Sequence, residues 1–172
     1  MVGSDENSYG GVVGAFPYAF RASDSRLFRS YVAIGGVVAV LATFLFAGSV
    51  VTILADTVQT TGGTMTFSRA FVVVVALVII GPLLAPVLLA ARRHRRGSGR
   101  TAYDRAMAAA GYGFLLSVYL ALVISAPPGT REDPPALLDP VVRFLYDLPQ
   151  VAGFLPLVLG AVGIYLAHRS YR

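Results

Sequence analysis

The run from Ala70 to Ala91, AFVVVVALVIIGPLLAPVLLAA, carries no charge and stops abruptly at Arg92, Arg93, His94, Arg95 and Arg96. About 20 consecutive apolar residues are what a helix needs to cross the hydrocarbon core of a bilayer. Lipid offers no partner to open backbone groups, so a crossing segment of this kind must be helical. The arginines at its end then hold that end in the cytoplasm. Every other long apolar run in the chain can be placed relative to this one.

Three such runs exist, and the spans fall at about 31–55, 70–91, 106–126 and 148–167. The expected fold is all-α: a polytopic membrane protein of four transmembrane helices in an up-down bundle, with both termini inside. No stretch alternates at the period of a strand. Residues 1–30 read as a cytoplasmic tail and interfacial anchor, and 31–172 as the four-helix domain. In the anchor, Phe16, Tyr18, Phe20 and Phe28 alternate with Arg21, Arg26 and Arg29, a pattern suited to the headgroup region. Ser23 or Asp24 is the expected cap of a helix leading into the first span. That first span is too long for the core of a secretory signal, about 7–15 residues. Between the third and fourth spans, Pro140–Tyr146 is expected to form two turns of helix.

Composition agrees with a lipid environment. Only 13% of the 172 residues are charged, against roughly 25% in soluble domains. All 14 basic residues are arginine and there is no cysteine, which excludes disulfides and thiolate chemistry. With the N-terminus inside, eleven of the arginines fall on the cytoplasmic side, and only Arg69, Arg131 and Arg143 lie outside. This is the positive-inside asymmetry, and it places the chain in the cell membrane as a multi-pass protein. The Arg92–Arg96 cluster is read as an orientation determinant that meets anionic headgroups, at about 1 kcal/mol per arginine, and not as a nucleic-acid patch. His94 and His168, the only histidines, stand among arginines and make a poor metal site. No cofactor is expected.

No Asp, Glu, Lys, Arg or His falls inside the four spans as drawn. Proton relays and ion-coupled transporters need such groups, and no nucleophile–base pair can be assembled within the bilayer. An active site at a membrane face, for example His168 with Asp104, is not singled out by anything. Small residues recur at every fourth position: Gly35, Ala39, Thr43 and Ala47 in the first span, and Ala109, Gly113, Ser117 and Ala121 in the third. Such ladders let helix backbones approach closely, within the chain or between copies. In the second span, Gly81, Pro82 and Pro86 interrupt the helix. The prolines leave the carbonyls of Val78 and Pro82 without their helical donors. A bend there is expected, with Thr43, Ser117, Tyr112, Tyr119 or a water supplying the missing hydrogen bonds.

GAFPYAFRASDSRLFRSY, GPLLAPVLLAARRHRR and PVVRFLYDLP together resemble uncharacterised four-span membrane proteins of haloarchaea. The resemblance covers nearly the whole chain and implies topology and lineage, with no catalytic residues. The expected role is non-enzymatic: a membrane accessory, scaffold or assembly subunit, working with a membrane-protein partner or as a homo-oligomer. The alternative is a small homo-oligomeric passive transporter or channel for an uncharged or apolar solute, motivated by the broken second helix.

Overall fold

The computed structural model describes residues 11–57, 63–131 and 133–171. Residues 1–10 of the expected tail, 58–62 of the first outer loop, Glu132 and Arg172 lie outside the described residues. Among the described residues the chain is all-helical and has no strand. Six α-helices follow in order: α1 (Gly11–Ala22), α2 (Arg26–Thr57), α3 (Gly63–Arg95), α4 (Thr101–Ile124), α5 (Asp139–Asp147) and α6 (Phe154–Ser170). Four stretches are long and apolar enough to cross a membrane: Arg26–Ala55, Phe67–Arg95, Thr101–Ile124 and Gln150–Ser170.

The helices outrun the apolar runs that mark them. α3 continues through the arginines to Arg95, because cations in the last turn favour the helix dipole. α4 begins at Thr101, not at 106, directly after Arg100, whose backbone is extended. That shift matters chemically. It brings Tyr103 and Asp104 into the helix, both about 1% exposed, so an ionisable group is buried at the end of a helix expected to hold none. α2 starts at Arg26, and its cap is Ser25, whose hydroxyl accepts the Phe28 N–H at 3.3 Å. Neither Ser23 nor Asp24 takes that role.

α1 is more than a surface anchor. It doubles back along α2 and α3, and Ala15 and Ala19 are fully buried there. Phe16 packs over Gly36, where a Cβ would come within 3.1 Å of its ring. Lower down, the Arg29 guanidinium stacks on the Phe20 ring at 4.4 Å. α4 makes its largest contact with α6, running antiparallel to it. Gly153 lies against Ser125 and the Ala121 carbonyl at one end, and Gly160 lies 2.5 Å, measured from a would-be Cβ, from the Ser117 hydroxyl at mid-height. α5 forms where the two turns were expected, with Val141 and Phe144 exposed.

At the centre of the core sits Tyr31. It is fully buried, its ring fits the gap left by Gly111, and it meets Tyr112 edge-on at 5.4 Å. Its hydroxyl donates to the Leu83 carbonyl at 2.8 Å. That carbonyl lies between Pro82 and Pro86, in the part of α3 where proline weakens the helical ladder. Three of the donors expected for this region are engaged elsewhere. Thr43 bonds the Ala39 carbonyl, Ser117 bonds the Phe114 carbonyl, and Tyr112 meets Ser30. Tyr31→Phe keeps the ring and removes the donor. It should cost about 0.6 kcal/mol, up to about 1.7, read as a lowered unfolding midpoint in detergent.

Candidate polar site at the arginine-rich end

The start of α2, the end of α3, the start of α4 and the end of α6 converge at one end of the molecule, and the buried polar side chains Ser23, Ser25 and Asp104 gather there. Asp104 is the hub. The Ser23 hydroxyl, from the link between α1 and α2, donates to Asp104 Oδ2 at 2.5 Å. His94 Nε2, from the last turn of α3, lies 2.8 Å from the same oxygen, the distance of an N–H donating to a carboxylate. The other oxygen, Oδ1, is buried without a hydrogen-bond partner among the described residues. One residue earlier, the Tyr103 hydroxyl and His168 Nδ1 share a hydrogen bond of 2.7 Å, which joins α4 to α6.

The turn between α3 and α4 is built to bring His94 back to Asp104. Gly97 has φ +71°, in the left-handed region. Its N–H bonds the His94 carbonyl at 3.0 Å, and the Ser98 N–H bonds the Arg93 carbonyl at 3.3 Å. These two bonds form a Schellman cap, which closes off the last carbonyls of the helix and strongly favours glycine at this position. Gly99 then passes directly against the His94 ring, where any Cβ would collide with Nδ1. Both glycines of RRHRRGSGR therefore have work to do. The sequence signal for this cap is a glycine just past the last cationic turn.

A cavity of about 290 Å³ opens beside this hub, lined by Leu89, Arg92, Arg93, Arg96, Ser98, Tyr103 and His168. Arg93 is fixed from three sides. Its Nε donates to the Ser98 carbonyl at 2.9 Å, its Nη1 donates to the Tyr171 carbonyl at 2.7 Å, and its guanidinium stacks on the Tyr103 ring at 4.3 Å. Arg92, Arg95 and Arg96 are exposed.

The other residues singled out in the sequence are scattered. Gly35, Ala39, Ser117 and Ala121 are buried, while Thr43, Ala47, Ala109 and Gly113 are exposed. Pro86 is buried, Pro82 partly so, and Gly81 and Val78 are exposed. The pairing of His168 with Asp104 does not occur: His94 takes the carboxylate and His168 takes Tyr103. Among the described residues no group of three or more metal-ligating side chains forms.

The chemistry of the hub follows from its order. A serine nucleophile needs its hydroxyl on the base. Here serine and histidine both address the same carboxylate oxygen, so the carboxylate stands between them. That arrangement fastens three chain segments together. Asp104→Ala should cost about 3–5 kcal/mol, the loss that follows from breaking a buried pair. Ser23→Ala, which leaves His94 in place, should cost about 1–3 kcal/mol. Thermal unfolding in detergent would rank the two, and equal small effects would show that the carboxylate does not organise this end.

No curated protein matches the chain, and no solved structure matches it. One family model does match, over residues 3–172. The chain belongs to that family, a domain of unknown function, DUF8056.

Proposed function

We propose that this protein is a non-enzymatic integral membrane subunit, an accessory, scaffold or assembly component that presents a helical surface to a membrane partner or to another copy of itself. The observation that carries the reading is a shallow apolar groove between α4 and α6. Its volume is about 440 Å³, and its lining includes Ala110, Gly113, Ser117, Pro156, Gly160 and Gly163. Small residues on an outward face let a second helix come close to the backbone, which is how helices associate where burial from water supplies no drive. The polar groups at the arginine-rich end support the same reading, since Ser23 and His94 both meet Asp104 Oδ2 and hold helices together.

The full arrangement proposed is a four-helix up-down bundle in the cell membrane of a haloarchaeon, with both termini in the cytoplasm and the Arg92–Arg96 cluster on anionic headgroups. A proline bend near Gly81 and Pro82 and packing through small residues complete it. The runner-up is a homo-oligomeric passive transporter or channel for an uncharged or apolar solute. It draws on the interrupted α3 and on an apolar cavity of about 610 Å³ between α1, α2 and α3, lined by Val12, Phe16, Gly36, Thr43, Ile80 and Leu84 among others.

Purification in mild detergent at native expression should recover the protein in an assembly, and Gly113→Leu or Gly163→Leu should release it as a monomer that unfolds at the same temperature. Recovery of the unaltered chain only as a monomer would count against the subunit reading. Solute flux in proteoliposomes, abolished by filling the α1 cavity with Gly36→Leu, would favour the transporter.

Topology has its own test, because the chain has no cysteine. Gly62→Cys and Gly129→Cys should react with an impermeant thiol reagent in intact cells, and Ser98→Cys should not. Labelling at position 98 alone would invert the orientation.

A further inference from the structure

The cavity at the end of α3 has a property that neither the subunit nor the transporter reading uses. Its charged lining is all of one sign: the guanidinium groups of Arg92, Arg93 and Arg96. Ser98, Tyr103 and His168 contribute the other polar surface. The nearest acid, Asp104, is not among the lining residues. Its carboxylate is held by Ser23 and His94.

Arg93 is pre-organised. Two of its three nitrogens are committed to the Ser98 and Tyr171 carbonyls, and the Tyr103 ring supports its face. That leaves both hydrogens of Nη2 and the second of Nη1 as its donors toward a ligand. A guanidinium fixed in this way loses little side-chain freedom on binding, which is the usual entropic cost of an arginine contact. Arg92, in the last turn of α3, and Arg96, in the turn that follows it, both line the cavity. α4 borders the cavity through Tyr103, and its cap residue, Arg100, makes no side-chain cap bond. On the other side, the carbonyls that end α3 are closed by Gly97 and Ser98, which limits the opposing partial charge.

We propose that this cavity is a binding site for a phosphate group, with Arg93 as the fixed donor and Arg92 and Arg96 closing over the remaining oxygens. A phosphate matches the fork geometry of arginine and draws strength from charge-assisted hydrogen bonds. The group arrives either as the headgroup of an anionic lipid or as a soluble phosphate compound. The site is a partly open pocket in which Arg93 is held in place, distinct from the diffuse attraction of an arginine-rich surface to a membrane.

The test uses the full-length protein in nanodiscs of phosphatidylcholine alone. Thermal unfolding is followed as inorganic phosphate is added, and in a parallel series as the share of phosphatidic acid is raised. The expected result is a rise in Tm in at least one series that sodium chloride at matched ionic strength does not reproduce. A response to inorganic phosphate marks a soluble ligand, and a response to the lipid alone marks a headgroup. Combined Arg92→Gln and Arg96→Gln should shift the midpoint of the response by about tenfold or more, the scale of one lost charge-assisted hydrogen bond. If that double variant does not fold, Arg96→Gln alone should shift it in the same direction. Arg169→Gln removes an exposed arginine at the same end but outside the cavity, and should leave the midpoint unchanged. No response in either series, a response that chloride matches, or an equal shift in Arg169→Gln would each overturn the proposal.

Discussion

One carboxylate oxygen organises the arginine-rich end of this molecule. Asp104 Oδ2 receives Ser23 and His94 together. Taking a carboxylate out of water is costly, and the cost is recovered only through well-aligned partners. Those partners come from distant parts of the chain, with Ser23 preceding Asp104 by 81 residues. The reversal between α1 and α2, the end of α3 and the start of α4 are therefore referenced to a single atom. The adjacent Tyr103 brings in α6 through His168. In lipid, apolar side chains gain little by leaving one set of hydrocarbon neighbours for another, so polar ties of this kind carry a larger share of helix placement than they do in water.

What could be read from the sequence divides along the same physical line. The four long helices were legible because uncharged runs such as Ala70–Ala91 admit no other structure in a bilayer. Their ends were not, because hydropathy marks where charge begins and helices end for other reasons. α3 runs through four cationic residues that its dipole favours, and α4 begins where Arg100 turns extended. Asp104 precedes the third apolar run, so hydropathy reports neither the buried carboxylate nor the partners of the two histidines. Aromatic residues between arginines suggested an interfacial anchor at residues 16–29, yet the helix formed there sends Ala15 and Ala19 into the core. Such a stretch looks the same in sequence whether it lies flat on the bilayer or folds back along a neighbouring helix. The choice rests on long-range fit, here of Phe16 over Gly36.

The small-residue ladders show a different limit. Residues four apart on a helix advance by a little more than one turn, so each step drifts by about 40°. Over three steps the ladder moves roughly a third of the way around the helix. In α2, Gly35 and Ala39 are buried while Ala47 is exposed, and in α4 the order is reversed, with Ala109 and Gly113 exposed and Ser117 and Ala121 buried. In α4 the glycine with the least room for a side chain, Gly111 against Tyr31, stands off the ladder. It is set by the bulky residue opposite, which a pattern within a single helix does not report.

Adjacent positions on α4 separate the two kinds of polar chemistry at this end. Successive residues of a helix point about 100° apart. Asp104 thus turns toward Ser23 and His94, while Tyr103 turns toward Arg93 and the cavity. The consequence is electrostatic. A carboxylate lining the cavity would pair with the guanidinium groups and cancel their field at close range. Held on the other side, Asp104 spends its charge on the fold, and Arg92, Arg93 and Arg96 keep theirs facing the cavity. The turn that links α3 to α4 makes this possible: Gly97 reverses the chain and Gly99 clears the His94 ring, so that histidine and arginine from one helical turn serve opposite sides.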